Sequence, residues 1–99
     1  MIYKEYIICS AIKIIGDDEI IVCGRRHNDC LLTIKKLNPD LYKTLNESNT
    51  VMGFITSRNE FKDRYESYII AKRENQFILP ELSMKNIDML ISEDLFGID

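Results

Sequence analysis

Residues 24–30, Gly-Arg-Arg-His-Asn-Asp-Cys, crowd two guanidiniums, the single histidine and a carboxylate into one short stretch. Arginine forks grip phosphate oxygens in pairs. If a helix starts here, its free backbone N–H groups add to the pull on an anion. Arg25 and Arg26 are therefore candidate anion ligands, and His27 beside Asp29 has the composition of an acid–base pair. Plainer roles fit the same residues. A charged loop end is often solvated, with one arginine in a structural ion pair, and a lone histidine often serves as a hydrogen-bonder or helix cap.

A second group spans residues 53–64. Phe54 and Phe61 bracket a polar turn that carries Thr56, Arg58 and Asn59, and Arg64 follows. Aromatic faces stack on purine rings while arginines hold phosphates, which is how many proteins grip a nucleotide. Phe54 and Phe61 are equally suited to a hydrophobic core. A third group, Ser92-Glu93-Asp94-Leu95-Phe96, offers acids that accept hydrogen bonds from ribose hydroxyls or arginines, or simply caps a terminal helical turn. No G-x-S-x-G, Walker-type loop or H-E-x-x-H is present, so no catalytic machinery stands out. No cofactor or metal is expected, because the single histidine has no further ligands at motif spacing.

These groups must be positioned by few elements. A chain of 99 residues is one domain and buries about two thirds of its unfolded surface, so its core is modest. The net charge of −3 disfavours general binding to long nucleic acid, which draws on a basic excess. Three cysteines, Cys9, Cys23 and Cys30, with no C-x-x-C pair, read as buried thiols acting as small hydrophobes. No stretch approaches the ~20 apolar residues that span a bilayer. The N-terminus lacks a signal-peptide pattern, so no membrane partner is expected.

The periodicity predicts a small α+β domain. Residues 2–15 read as a long strand. Tyr6, Ile8, Ile12 and Ile14 are expected on one face, and Ile7, Cys9, Ala11 and Ile15 on the other. Two apolar faces suggest a central strand or one covered by another subunit. Gly16-Asp17-Asp18 turns the chain into a second strand over 19–24. Asn28 or Asp29 should cap a helix through Cys30, Leu31, Ile34 and Leu37, and Pro39 should open a short second one. A third strand is expected over 50–56, a turn over 57–60, and a helix over 64–74 capped by Asp63 and stopped by Asn75. Residues 77–79 and 87–91 read as short extended pieces, and Ser92 as a helix start.

Taken together, these segments resemble a set of small phage proteins, the first family of Thoeris anti-defence proteins. The likeness runs from about Ile2 to Phe96. Gly24, Arg26, His27 and Asp29 match the first motif of that family. Gly53, Phe54, Phe61, Arg64 and Glu66 match the second, and Ser92 to Leu95 the third. Around Tyr65 and Ser67, and at Arg73-Glu74-Asn75-Gln76, this chain departs from the pattern. The resemblance implies a sponge in the cytoplasm of an infected bacterial host. It would sequester cyclic ADP-ribose-type signals, or cyclic oligonucleotides of CBASS defence, without degrading them. It also implies a small antiparallel sheet with two or three helices packed on it, and a homo-oligomer, dimer or hexamer, with pockets between subunits. On that reading Arg26 and Arg64 hold phosphates, and Phe54 or Phe61 stacks on adenine. A protein-binding inhibitor of a host enzyme is the competing expectation, and a phosphodiesterase using His27 a third.

Overall fold

The computed structural model describes residues 4–78 and 88–96. Four strands and four helices follow the order β1 (Ile7–Ile14), β2 (Ile20–Gly24), α1 (His27–Leu37), α2 (Pro39–Thr44), β3 (Thr50–Thr56), β4 (Phe61–Asp63), α3 (Arg64–Arg73) and α4 (Ser92–Phe96). The strands form one antiparallel sheet in the order β2-β1-β3-β4. The fold class is the expected α+β, with two long helices and two short ones. Among the described residues no helix is long and apolar enough to cross a membrane.

β1 is central, as its apolar character requires, but it is shorter than the expected strand and its faces differ. The expected strand residues 2 and 3 lie outside the described residues, and Lys4 to Tyr6 precede the strand. Between Ile7 and Cys9 the register against β3 shifts, with Ile7 opposite Thr56 and Cys9 opposite Ile55. That bulge adds one residue and reverses the alternation. Ile7 therefore shares a face with Ser10, Ile12 and Ile14, and Ile8 is exposed. A strict period of two cannot anticipate this, so the structure exchanges the sides expected of Ile7 and Ile8.

One face of the sheet carries the core, in two clusters. Ile12 and Ile14 pack with Cys30 and Ile34 of α1, joined by Val22, Leu41 and Tyr42. Ile7 and Phe54 pack with Tyr68, Ile70 and Ala71 of α3 and with Leu90. The opposite face bears Cys9, Ala11 and Lys13 beside Ile21, Cys23, Val51 and Ile55. Of the three cysteines only Cys30 is buried. Cys9 is half-buried and Cys23 exposed, which corrects the expectation of buried thiols.

Helix ends explain the local geometry. α1 starts slightly earlier than expected, with Arg26 at its N-cap in place of Asn28 or Asp29; Asp29 does not cap but accepts from Arg26 N at 3.1 Å. Asn38 caps α2 by accepting from Leu41 N at 3.1 Å, with Pro39 in the first turn as expected. Asp63 caps α3, accepting from Tyr65 N at 3.0 Å and Glu66 N at 2.8 Å. The helix ends where Asn75 turns left-handed at φ 55°, and Gln76 N reaches back to Ala71 O at 2.9 Å, closing a Schellman-type stop. β4 was not anticipated, because three residues are too few to show a period. Phe77 and Ile78 are not a strand, Leu79 and Ile87 lie outside the described residues, and Asp88 to Ile91 form no regular element.

Candidate functional site

His27 joins the three motifs. Its Nε2 stands 2.8 Å from Gly53 O and its Nδ1 2.8 Å from Ser92 Oγ, and its ring meets Phe54 edge-on at 5.1 Å. A carbonyl can only accept, so Nε2 carries the proton, and the neutral ring's Nδ1 accepts from the Ser92 hydroxyl. Ser92 Oγ also accepts from His27 N at 3.3 Å and lies 2.8 Å from Ser10 Oγ. Ser10 Oγ also lies 3.0 Å from Arg25 O, and its single proton serves one of these two oxygens. Ser10 and Ser92 are buried, so this chain satisfies polar groups that would otherwise destabilise the core. Burial pushes the His27 pKa below its usual value, and the nearby Arg64 charge pushes the same way, against the Gly53 bond. Both ring nitrogens are engaged within the fold, with Gly53 and Ser92 as partners and not Asp29.

The first motif's arginines bind the tail. The Arg26 Nη2 donates to Phe96 O at 3.1 Å, and the Arg25 guanidinium lies over the Phe96 ring at 5.3 Å. Asp29 is held by the start of α1 as described. These contacts place Arg25, Arg26 and Asp29 in the clasp between α1 and α4, apart from the residues of the second group.

The second group divides. Phe54 is fully buried, 0% exposed, so it has no face to offer a base; the stacking role expected of it is corrected to a core role. Thr56 is buried too and donates to Glu5 Oε2 at 2.8 Å. Its hydroxyl also accepts from Arg58 N at 3.2 Å, within the turn where Asn59 adopts φ 60°. Asn tolerates that left-handed conformation better than most residues, which accounts for its place there. Phe61 is half-buried on the opposite face of the sheet, with the Lys13 ammonium 5.5 Å from its ring. A methyl group on Gly53 would lie 2.5 Å from Phe61 Cζ and overlap the Lys62 carbonyl, so only glycine lets β4 close on β3 here.

Arg64 follows β4 at the start of α3. β4 ends at Asp63 opposite Gly53, so Thr50 to Met52 of β3 continue past it with no strand on that side among the described residues. The chain leaves there into α3. The step creates an open cleft of about 550 Å³, lined by Glu47, Thr50, Val51, Met52, Asp63, Arg64, Tyr65 and Met89. That size suits a small ligand. The Arg64 Nε is buried and has no hydrogen-bond partner among the described residues. Tyr65 is 60% exposed at the rim. In the sequence Tyr65 stands out only as a departure from the family pattern, and Glu47, Thr50 and Met89 carry no site signal. Adjacency to Arg64 was the one signal available for Tyr65; the others are brought there by the end of β4, which no local pattern announces. Among the described residues no group of three or more His, Cys, Asp or Glu side chains is arranged to hold a metal ion.

A family model described as Phage T4 y16D protein matches residues 6–96. The match covers nearly the whole chain, and the protein belongs to that phage family. No curated protein and no solved structure matches it.

Proposed function

We propose that this member of the phage T4 y16D protein family binds a small phosphate-bearing signal of the cyclic ADP-ribose type and holds it without chemical change. It would thereby blunt a bacterial Thoeris response. The observation that carries the reading is the Arg64 guanidinium: a buried nitrogen with no acceptor among the described residues, on a side chain that lines a ligand-sized cleft at the start of the ten-residue helix α3. A buried donor without a partner costs about 1–3 kcal/mol. A ligand phosphate is the kind of acceptor that offsets this. The exposed Tyr65 ring gives a base a surface to stack on, in place of Phe54. The overall charge of −3 makes such binding depend on local cations and not on a general field.

Two features favour sequestration over turnover. Both His27 nitrogens are bound internally, and the cleft's acids, Glu47 and Asp63, have no histidine among the lining residues. Asp63 is further engaged in capping α3. Cyclic oligonucleotides present the same phosphate chemistry and are a second ligand class for the same test. The purified protein is incubated with each ligand, separated from free ligand, heat-denatured, and the supernatant analysed. Intact ligand released in stoichiometric amount is the expected result. Cleaved ligand makes the protein an enzyme such as a phosphodiesterase. No ligand retained would leave the inhibitor of a host enzyme as the better reading.

A further inference from the structure

The β1–β2 hairpin gathers two sulfurs that no local spacing pairs. Ala11 stands opposite Cys23, and Ser10 opposite Gly24. Cys9, two residues before Ala11 on β1, therefore lies on the same face as Cys23 and diagonal to it. This is the sheet face turned away from α1 and α3. Cys9 is half-buried there, Cys23 is exposed, and both are free thiols. Ala11 adjoins both and is too small to separate them. Burial raises the Cys9 pKa, and so do the Cys23 charge and a hydrogen bond between the two side chains, while a backbone bond from Gly24 lowers it. The two thiols are thus in direct contact, with an N–H beside them that favours thiolate. Cys30 is not a third member, since it is buried in the α1 core on the other face, with its Sγ 3.7 Å from Ser10 O.

We propose that Cys9 and Cys23 form a two-thiolate site for a soft monovalent cation, Cu(I). Thiolate sulfur selects soft ions, and calcium, magnesium and manganese prefer oxygen ligands. Zinc takes four ligands in a closed site, and among the described residues no third or fourth His, Cys, Asp or Glu joins this pair. Cu(I) is satisfied by two thiolates placed on either side of it. The diagonal geometry also suits an ion better than a disulfide. Diagonal neighbours stand about 7–8 Å apart, whereas a disulfide requires roughly 4.4–6.8 Å between Cα atoms. An ion bonded to both sulfurs spans the wider gap. On binding, each thiol gives up its proton to solvent and each sulfur forms one bond to copper. No electron changes hands. The site is independent of the ligand reading, because neither cysteine lines the cleft.

The test is a titration of the reduced protein with Cu(I), without oxygen, against a chromophoric chelator that competes for the ion. The chain should hold one Cu(I), show a near-ultraviolet thiolate-to-copper charge-transfer band, and release two protons. Cys9→Ser and Cys23→Ser should each abolish retention and band. Thermal melting checks that each variant is folded, and the exposure of Cys23 makes its substitution the safer of the two. Adding Ile21→Cys to Cys23→Ser keeps the thiol count and the sheet face but moves one sulfur two residues along β2, opposite Lys13, and should not restore the site. Retention by Cys23→Ser or by the shifted variant overturns the proposal. So does equal retention of Zn(II). Half a Cu(I) per chain with a doubled mass overturns it too, because the ion would then lie between two copies.

Discussion

The His27 Nε2 sits 2.8 Å from the Gly53 carbonyl, tying the start of α1 to the middle of β3. The histidine spans elements that are 26 residues apart in sequence, and its other nitrogen reaches Ser92, 65 residues away. Its protonation therefore bears on the whole fold. The folded pKa lies below 6.5, so the unfolded chain binds the proton more readily. The stability this histidine contributes is complete above pH 6.5 and is lost as the pH falls through the folded value. The melting temperature of wild type should drop more between pH 7 and pH 5 than that of His27→Gln, which cannot titrate. Equal drops in both proteins would show that other groups set the acid sensitivity.

Arg64 supplies part of that depression, because its charge opposes a second positive charge on His27. Arg64→Ala should therefore raise the His27 pKa, followed by the imidazole proton shifts during an NMR titration. The direction is the test, and a lowered or unmoved value would contradict the placement of the guanidinium.

Gly53→Ala should destabilise the protein by about 1–3 kcal/mol, the usual cost of overpacking, because the new methyl group meets both the Phe61 ring and the Lys62 carbonyl. Phe61→Ala removes only the ring, so the double variant should recover part of the loss and not all of it. Chemical denaturation of the three variants measures this. Full recovery would mean that the backbone contact is unimportant.

The cysteines should separate by reactivity. Burial raises the Cys30 thiol to about 12, and its Sγ lies 3.4 Å from Arg26 O, whereas Cys23 is exposed. Only thiolate reacts readily. At pH 8 an alkylating reagent should modify Cys23 first and leave Cys30 untouched until the protein unfolds, as read by peptide mass. Early labelling of Cys30 would contradict its burial against β1.

Much of the fold is written in local signals. The β1–β2 hairpin, the Asn38-Pro39 helix start, the Asp63 cap and the Asn75 stop each follow from side chains acting on backbone within a few residues. The Ile7–Cys9 bulge and the three-residue β4 do not, because both arise from matching β1 and β3 to neighbours far along the chain. The site shows the same division. Arg64 was legible as a cation at a helix start. That Phe54 turns inward to His27, and that Arg25 and Arg26 close on Phe96, depends on contacts about 27 to 71 residues apart, reckoned from the paired positions.

Ligand affinity in Arg64→Ala, measured by calorimetric titration beside thermal melting, tests the central claim most directly. A charge-assisted hydrogen bond contributes roughly 1.5–3 kcal/mol, so its loss should weaken binding of a cyclic ADP-ribose-type ligand by about ten- to a hundred-fold. The melting temperature of the free protein should hold or rise, since the Arg64 Nε has no partner among the described residues to leave stranded. Unchanged affinity in a folded Arg64→Ala protein, or no binding of these ligands by wild type, would contradict the account.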